Sequence, residues 1–297
     1  MQSNIRPSGV SVTREATRPE RAAVLWYLLV VFITTTAIAA CFPLLHITDN
    51  WVANALGFLP GIIAIPFFLL RHERIRSIGW GIGNPFLWLW AILFPVAIIA
   101  VTLPLTLRLG YAAIAPLTTS AGRVAHDPMR ILHNILLYTA IAIPFAFGEE
   151  LGWRGYAQGK LVREFGLVKG LLILGLVWGF WHSPIYYFTG AYAAHPILGP
   201  LIMTPVDNLL VVVPMAWLYI RSRTIWVPVL THAFADVLWG FSDLLYPKSH
   251  ELQSWAILQC VQLLVSIALL IDLKRRPNND RAASTSGPVV PGEAATH

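Results

Sequence analysis

Residues 131–156, ILHNILLYTAIAIPFAFGEELGWRGY, decide what kind of protein this is. The stretch begins with an apolar run long enough to cross a bilayer as a helix, which takes about 20 residues. The run closes on two adjacent carboxylates, Glu149 and Glu150, and Arg154 follows the second acid by four residues. The sequence therefore poses two questions, how many such spans there are and why two acids stand at the end of this one.

Composition answers the first question. Of 297 residues, 56% are hydrophobic and 12% charged, with a mean hydropathy of +0.63, whereas soluble domains carry about 25% charged residues. We predict an all-α polytopic membrane protein, a bundle of about eight transmembrane helices. The predicted spans are Ala22–Leu45, Trp51–Leu70, Pro85–Leu107, Ile131–Glu149, Leu167–Phe188, Pro196–Ile220, Ile225–Tyr246 and Ser254–Leu273.

The distribution of Lys and Arg predicts the orientation, because cytoplasmic loops collect positive charge. With the N-terminus inside, seventeen of the 21 Lys and Arg residues fall on the cytoplasmic side and four outside. Both termini are then cytoplasmic, and the plasma membrane of a bacterium is the expected location. Basic residues at helix ends face anionic headgroups, so the net charge of +6 calls for a lipid bilayer as partner and not for nucleic acid.

The two ends of the chain are predicted to lie outside the fold. Residues 1–20 and 277–297 are polar and lack the apolar periodicity needed to bury anything. We predict mobile cytoplasmic tails there, and a transmembrane domain over residues 21–276. Cleavage of the first span as a signal is an alternative that the length of the leader disfavours.

Ionisable side chains within the spans are the functional candidates, because each is costly in hydrocarbon. They are His133, Glu149, Glu150, His182, Asp207, His232, Asp236, Asp243 and Asp272. His133 and Asp243 lie near the outer ends of their spans, where a solvated or capping role is expected. Asp272 lies at a membrane edge, where water solvates an acid easily.

Helical geometry separates the two glutamates. Glu150 and Arg154 are spaced i,i+4, within ion-pair reach on one face, while Glu149 is turned by about 100° from Glu150. We therefore predict a paired, structural Glu150 and a Glu149 available as a general base. The alternative is that both acids end a helix at the interface, although Glu at a helix C-terminus opposes the dipole.

Two histidines on other spans extend the candidate site. His182 precedes Pro184, which should kink its helix, and His232 has Asp236 at i+4, so both side chains can face one cavity. Each histidine alone could be a packing residue that bonds between helices. Two histidines with an acid pair on a third span predict one shared cavity, in the cytoplasmic half of the membrane.

These residues resemble the motifs of the CAAX-prenyl-protease and bacteriocin-processing family, also called the Abi family, over about residues 131–245. The motif Glu-Glu-x-x-x-Arg is met by Glu149, Glu150 and Arg154. Trp178 precedes His182 where the family usually has Phe, which preserves an aromatic wall. His232 is followed by Asp236 where Asn or a similar polar residue is usual, and an ionised Asp cannot donate a hydrogen bond.

The resemblance implies a helical bundle around a water-filled cavity that faces the cytoplasm, and a peptide or protein substrate, lipidated or not. It implies hydrolysis, in which Glu149 with His182 activates water while His232 and Asp236 polarise the carbonyl. Glu149, His182, His232 and Asp236 could also ligate a divalent metal such as zinc, but the His-Glu-x-x-His signature is absent. We favour water activated by glutamate without a metal.

Two other classes of function remain open at this stage. A proton-coupled transporter could use Glu149, Asp207 and Asp236 as a relay, and Asp207 is an acid in mid-span that the motifs leave unexplained. It could bond into the cavity or serve packing. The chain could also be an immunity or scaffold protein that binds a peptide without cutting it.

Overall fold

The chain is seen in a computed structural model that describes residues 18–47, 50–72, 75–112, 128–242 and 250–276. Within these ranges all regular elements are helical. The α-helices are α1 Arg18–Ala39, α2 Asn50–Ala55, α3 Phe58–Leu70, α4 Phe86–Arg108, α5 Pro128–Glu150, α6 Gly159–Phe165, α7 Leu167–Thr189, α8 Thr204–Ser222, α9 Trp226–Ser242 and α10 Glu251–Arg275. Asp243 and nearly all of the two predicted tails lie outside the described residues, but α1 begins at Arg18, within the predicted tail.

Helices long and apolar enough to cross a membrane confirm the predicted fold class. Seven such segments occur in the described part of the chain. The remaining predicted span, Ile225–Tyr246, corresponds to α9, which has 17 described residues. Large apolar side chains cover the outside of the bundle, such as Phe86 at 81% and Leu264 at 69% exposure. Such a surface suits lipid and not water, so the protein is an integral membrane protein.

The fourth span differs from the prediction. Instead of ending at Glu149, the helix continues through a π-helical segment, Leu151–Gln158, into α6, so that Met129–Phe165 is one uninterrupted stretch of 37 residues. Arg154 and Lys160, which we assigned to a cytoplasmic segment, are 1% and 7% exposed. The charged residues were wrongly taken as a sign that the helix ends at the water interface, because their side chains are covered by neighbouring helices and not by water.

Glycines bring α3 against the part of α5 that carries the acids. A methyl group on Gly61 would lie 2.6 Å from the carbonyl oxygen of Gly148, and one on Gly148 would lie 2.6 Å from that of Gly57. Gly152 is equally closed off, by Tyr27 and Pro60. Both helices thus use a Gly-x-x-x-Gly spacing, which lets membrane helices approach backbone to backbone. The crossing fixes where Glu149 and Glu150 lie.

The same device packs α7 on α8. A methyl group on Gly179 would lie 2.4 Å from Pro205 Cα, and one on Gly175 would lie 2.8 Å from Leu209 Cα. The helix α7 continues through Pro184 to Thr189. This close contact fixes the position of α7, and with it that of His182, relative to α8.

Asp272 ties α10 to α8 and remains partly solvated, as expected. Its Oδ2 accepts hydrogen bonds from Trp217 Nε1 and Arg221, each at 2.8 Å. Its side chain is 31% exposed, so water and these two donors share the acid.

Candidate active site

Three helices bring the predicted motif residues together. Glu149 comes from the last turn of α5, His182 from α7 and His232 from α9. Glu149 Oε2 lies 3.8 Å from His182 Nε2, and His232 Nδ1 lies 2.8 Å from the Oε1 of Glu150, the neighbour of Glu149. His182 and His232, which follow Glu149 by 33 and 83 positions in the chain, therefore form one cluster with the two acids, as the motif spacing predicted.

Glu149 is held by one of its two oxygens. Oε2 accepts a hydrogen bond from Trp178 Nε1 at 2.8 Å and a longer one from Trp153 Nε1 at 3.4 Å. Oε1 lies beside Gly57, where a methyl group would come within 3.4 Å of it. The side chain is 11% exposed. One carboxylate oxygen is thus anchored by indoles, and the other faces the space that the missing side chain of Gly57 leaves.

His182 presents a defined nitrogen to Glu149. Its Nδ1 lies 3.1 Å from the carbonyl oxygen of Trp178, and because a carbonyl only accepts, Nδ1 must carry the proton. In the neutral ring Nε2 is then a lone-pair acceptor. The ring is clamped by a stacked Tyr186, at 5.4 Å and 13°, and by an edge-on Trp181 at 4.6 Å. Its Nε2 lies 3.8 Å from Glu149 Oε2, beyond direct hydrogen-bond distance.

Glu150 lies behind the cluster and is fully buried. Its Oε1 accepts from Arg154 at 2.9 Å, which confirms the predicted i,i+4 pair. The same oxygen accepts from His232 Nδ1 at 2.8 Å. That second contact, which sequence reasoning missed, fixes the orientation of the imidazole in the way a carboxylate behind a histidine commonly does.

His232 directs its other nitrogen to Asp236. His232 Nε2 and Asp236 Oδ2 are 3.4 Å apart, and both side chains face one cavity, as the i+4 spacing predicted. His232 is 7% exposed, whereas the side chain of Asp236 is 55% exposed. The pair thus extends from the buried interior, at His232, to an open space, at Asp236.

That open space is a cavity of about 970 Å³. Its wall includes Glu149, His182, His232, Asp236 and Asp207. His133 is exposed on α5 and is not among the residues that line it. The structure thus separates His133 from the acids and histidines that share one cavity.

Asp207 combines the two roles that were expected for it as alternatives. It lies on the cavity wall, and its Oδ1 accepts hydrogen bonds from Trp255 Nε1 at 2.9 Å and from Gln259 Nε2. The acid therefore both faces the cavity and joins α8 to α10. The Trp255 and Gln259 partners were missed, because their helix carries no motif that would single them out.

The candidate metal ligands do not form a ligand set. Among the residues that the structure describes, no group of three or more His, Cys, Asp or Glu side chains is arranged to hold a metal ion. Glu149, His182, His232 and Asp236 pair instead with indoles, a backbone carbonyl or one another.

Comparison with known proteins gives two matches. A sequence profile described as Rce1-like, type II CAAX prenyl endopeptidase, matches residues 131–238. A protein of Methanococcus maripaludis, named CAAX prenyl protease 2, is 32% identical over 79 residues, which are 25% of this chain and 29% of that protein. The chain thus matches less than a third of the length of this relative. The profile covers all three motif helices, so residues 131–238 are similar to the Rce1-like type II CAAX prenyl endopeptidases.

Proposed function

We propose that the chain is an intramembrane endopeptidase that hydrolyses a peptide bond with water activated by Glu149. The observation that carries the proposal is the convergence of Glu149, His182 and His232 on one cavity wall, from three different helices. A cavity of about 970 Å³ is large enough for an extended stretch of several residues and for water.

The first step is attack by water. A water between Glu149 and His182 Nε2 gives its proton to the carboxylate, while its oxygen bonds to the scissile carbonyl carbon. Glu149 Oε1 suits the role of proton acceptor because Oε2 is engaged by indole N–H groups. The lone pair on His182 Nε2 accepts the second proton of the water in a hydrogen bond and so orients the attack.

His232 supports the second half of the reaction. With both ring nitrogens protonated, its Nε2–H can donate to the carbonyl oxygen as that oxygen becomes an oxyanion, a role in which one donor supplies about 2.7–4 kcal/mol. Asp236 holds the Nε2–H in the cavity between turnovers. Collapse of the tetrahedral intermediate breaks the C–N bond, and Glu149 returns its proton to the leaving amine.

The substrate is proposed by analogy with the relative. A peptide or protein substrate with a prenylated Cys near its C-terminus is the first candidate, because the relative is named as a CAAX prenyl protease. The cavity is proposed to lie in the cytoplasmic half of a bacterial plasma membrane, with both termini cytoplasmic. A lipid attached to the substrate would then remain in the bilayer while the peptide enters the cavity.

The test is cleavage of a fluorogenic peptide that ends in a farnesylated Cys-Ala-Ala-Met sequence, by the purified protein in proteoliposomes. Glu149→Gln should lower kcat by roughly 10²–10⁴-fold, the usual contribution of a general acid–base. Glu164→Gln is the matched control. Glu164 lies on α6, pairs with Arg21 of α1 at 3.2 Å, and does not line the cavity. Equal cleavage by the two variants would refute the proposal.

A second measurement separates the rival functions. Membrane peptides from cells that carry the wild type or Glu149→Gln are compared by mass spectrometry. A peptidase predicts fragments that are present with the wild type and absent with the variant. A scaffold keeps its cellular phenotype in Glu149→Gln, because a neutral isostere leaves the surface that binds the peptide intact.

A further inference from the structure

We propose that Trp178 is the positioning residue of Glu149: its indole N–H fixes Oε2 and so leaves Oε1 as the atom that meets water. The proposal rests on the proposed function of Glu149 as the base. It assigns to Trp178 more than the aromatic wall expected from the sequence.

The contact between the two side chains is the closest that Glu149 makes among the described residues. Trp178 Nε1 lies 2.8 Å from Oε2, whereas Trp153 Nε1 lies at 3.4 Å and His182 Nε2 at 3.8 Å. A donor at 2.8 Å from a carboxylate is a charge-assisted hydrogen bond of normal length. The orientation of Glu149 is thus set mainly by Trp178.

Trp178 is itself held in place by other members of the cluster. The Arg154 guanidinium carbon lies 4.2 Å above the centre of its ring, and its edge meets the His232 ring at 5.4 Å and 72°. Its backbone carbonyl accepts the Nδ1–H of His182, and the side chain is 2% exposed. A nearly buried side chain that is held by such contacts can position a reactive group, because they restrict its rotamers.

Phenylalanine, the usual residue at this place in the family, could supply the ring contacts with Arg154 and His232. It has no N–H and could not bond to Glu149. The terminal torsion of a glutamate is broad, so that without this donor the carboxylate of Glu149 would rotate easily about that torsion. In this chain the indole therefore fixes the plane of the carboxylate.

The expected consequence is a loss of turnover and not of binding. Trp178→Phe keeps an apolar ring on the cavity wall, so KM should change by less than about threefold. Because a hydrogen bond to a charged group is lost, kcat should fall by roughly 10–100-fold. The matched control is Trp217→Phe, since Trp217 Nε1 also donates to a carboxylate at 2.8 Å, that of Asp272, away from the cavity.

A replacement that keeps the shape of Trp separates the donor from the ring. β-(3-Benzothienyl)alanine has sulfur in place of the indole N–H and nearly the same outline. At position 178 it should lower kcat as much as Trp178→Phe does, and at position 217 it should have no effect. It also replaces Trp178→Phe if that variant fails to fold. Wild-type kcat with the sulfur analogue at position 178 would overturn the proposal.

A spectroscopic test requires no proteolysis and so separates this proposal from the proposed function. In protein labelled with ¹⁵N-tryptophan, the indole resonances of Trp178 and Trp217 are assigned from the variants at each position. In Glu149→Gln the Trp178 indole proton should move upfield, because an amide oxygen accepts more weakly than a carboxylate, while the Trp217 resonance stays in place. An unmoved Trp178 resonance would refute the contact even if the peptide is cleaved.

Discussion

The sharpest prediction concerns Glu150, the acid that does not face the cavity. In Glu150→Gln an isosteric amide replaces a carboxylate that is 0% exposed and whose Oε1 receives both Arg154 at 2.9 Å and His232 at 2.8 Å. The shape of the side chain is kept and its charge is lost. The Arg154 guanidinium, 1% exposed, is then left without the negative charge that compensates its burial.

The expected cost follows from the burial of the pair. Removing one partner of a buried ion pair costs about 3–5 kcal/mol, because the other charge stays buried. The amide oxygen of Gln can still accept from Arg154 and His232, so the lower end, about 3 kcal/mol, is expected. Turnover should fall as well, by roughly 10–100-fold, because His232 loses the carboxylate that orients it.

The assay is equilibrium unfolding in mixed detergent micelles, with Glu164→Gln as the control. Glu164 pairs with Arg21, and their side chains are 13% and 55% exposed; with the guanidinium solvated, a pair of this kind contributes only about 0.2–1 kcal/mol. A free-energy change for Glu150→Gln no larger than that of the control would refute the reasoning. The reasoning would also be refuted if the free energy of unfolding fell by the expected amount while turnover stayed unchanged, because the same oxygen holds both Arg154 and His232.

Three further predictions concern the crossing of α3 and α5, the acid on α8 and the question of a metal. Gly61→Ala places a methyl group 2.6 Å from the Gly148 carbonyl oxygen. It should lower the free energy of unfolding by about 1–3 kcal/mol and reduce cleavage. The control Gly81→Ala, with nothing within 4 Å of the new atom, should do neither. Asp207→Leu removes the acceptor of the Trp255 indole and should destabilise the protein by about 1–3 kcal/mol; Asp207→Asn keeps an acceptor and should cleave nearly as well as the wild type, an outcome that a proton relay through Asp207 would contradict. Purified protein should contain substoichiometric zinc and keep its activity after dialysis against 1,10-phenanthroline, and stoichiometric zinc with activity restored only by readdition would contradict the assignment of the base.

Much of the architecture could be predicted from the sequence, because hydrophobicity and length define membrane helices almost independently of their neighbours. Contacts within one helix could also be predicted, since the i,i+4 spacing alone brings Glu150 to Arg154 and His232 to Asp236. The sequence also carried a signal that we did not use. Gly57 and Gly61, with the spacing Gly-x-x-x-Gly, mark the face by which α3 approaches α5.

Contacts between helices could not be predicted in the same way. Glu150 and His232 are 82 residues apart, and their contact depends on how α5 and α9 cross. The π-helical continuation after Glu150 was missed because charged residues were read as the end of a span, which holds only where water meets them. The hydrogen bond from Trp178 to Glu149 depends on a rotamer, which a motif that allows any aromatic ring does not specify.

The two adjacent acids at the end of the apolar run now have separate roles. A step of one residue turns a helix by about 100°, so Glu149 and Glu150 leave the same backbone toward different surroundings. Glu149 faces the cavity, where Trp178 holds one oxygen and the other is left for water. Glu150 faces the protein, where Arg154 and His232 share one of its oxygens. A single acid could not do both, because a carboxylate that binds a guanidinium and an imidazole is a poor proton acceptor. The pair thus separates the proposed base, Glu149, from the acid whose contact with His232 holds α9 in position.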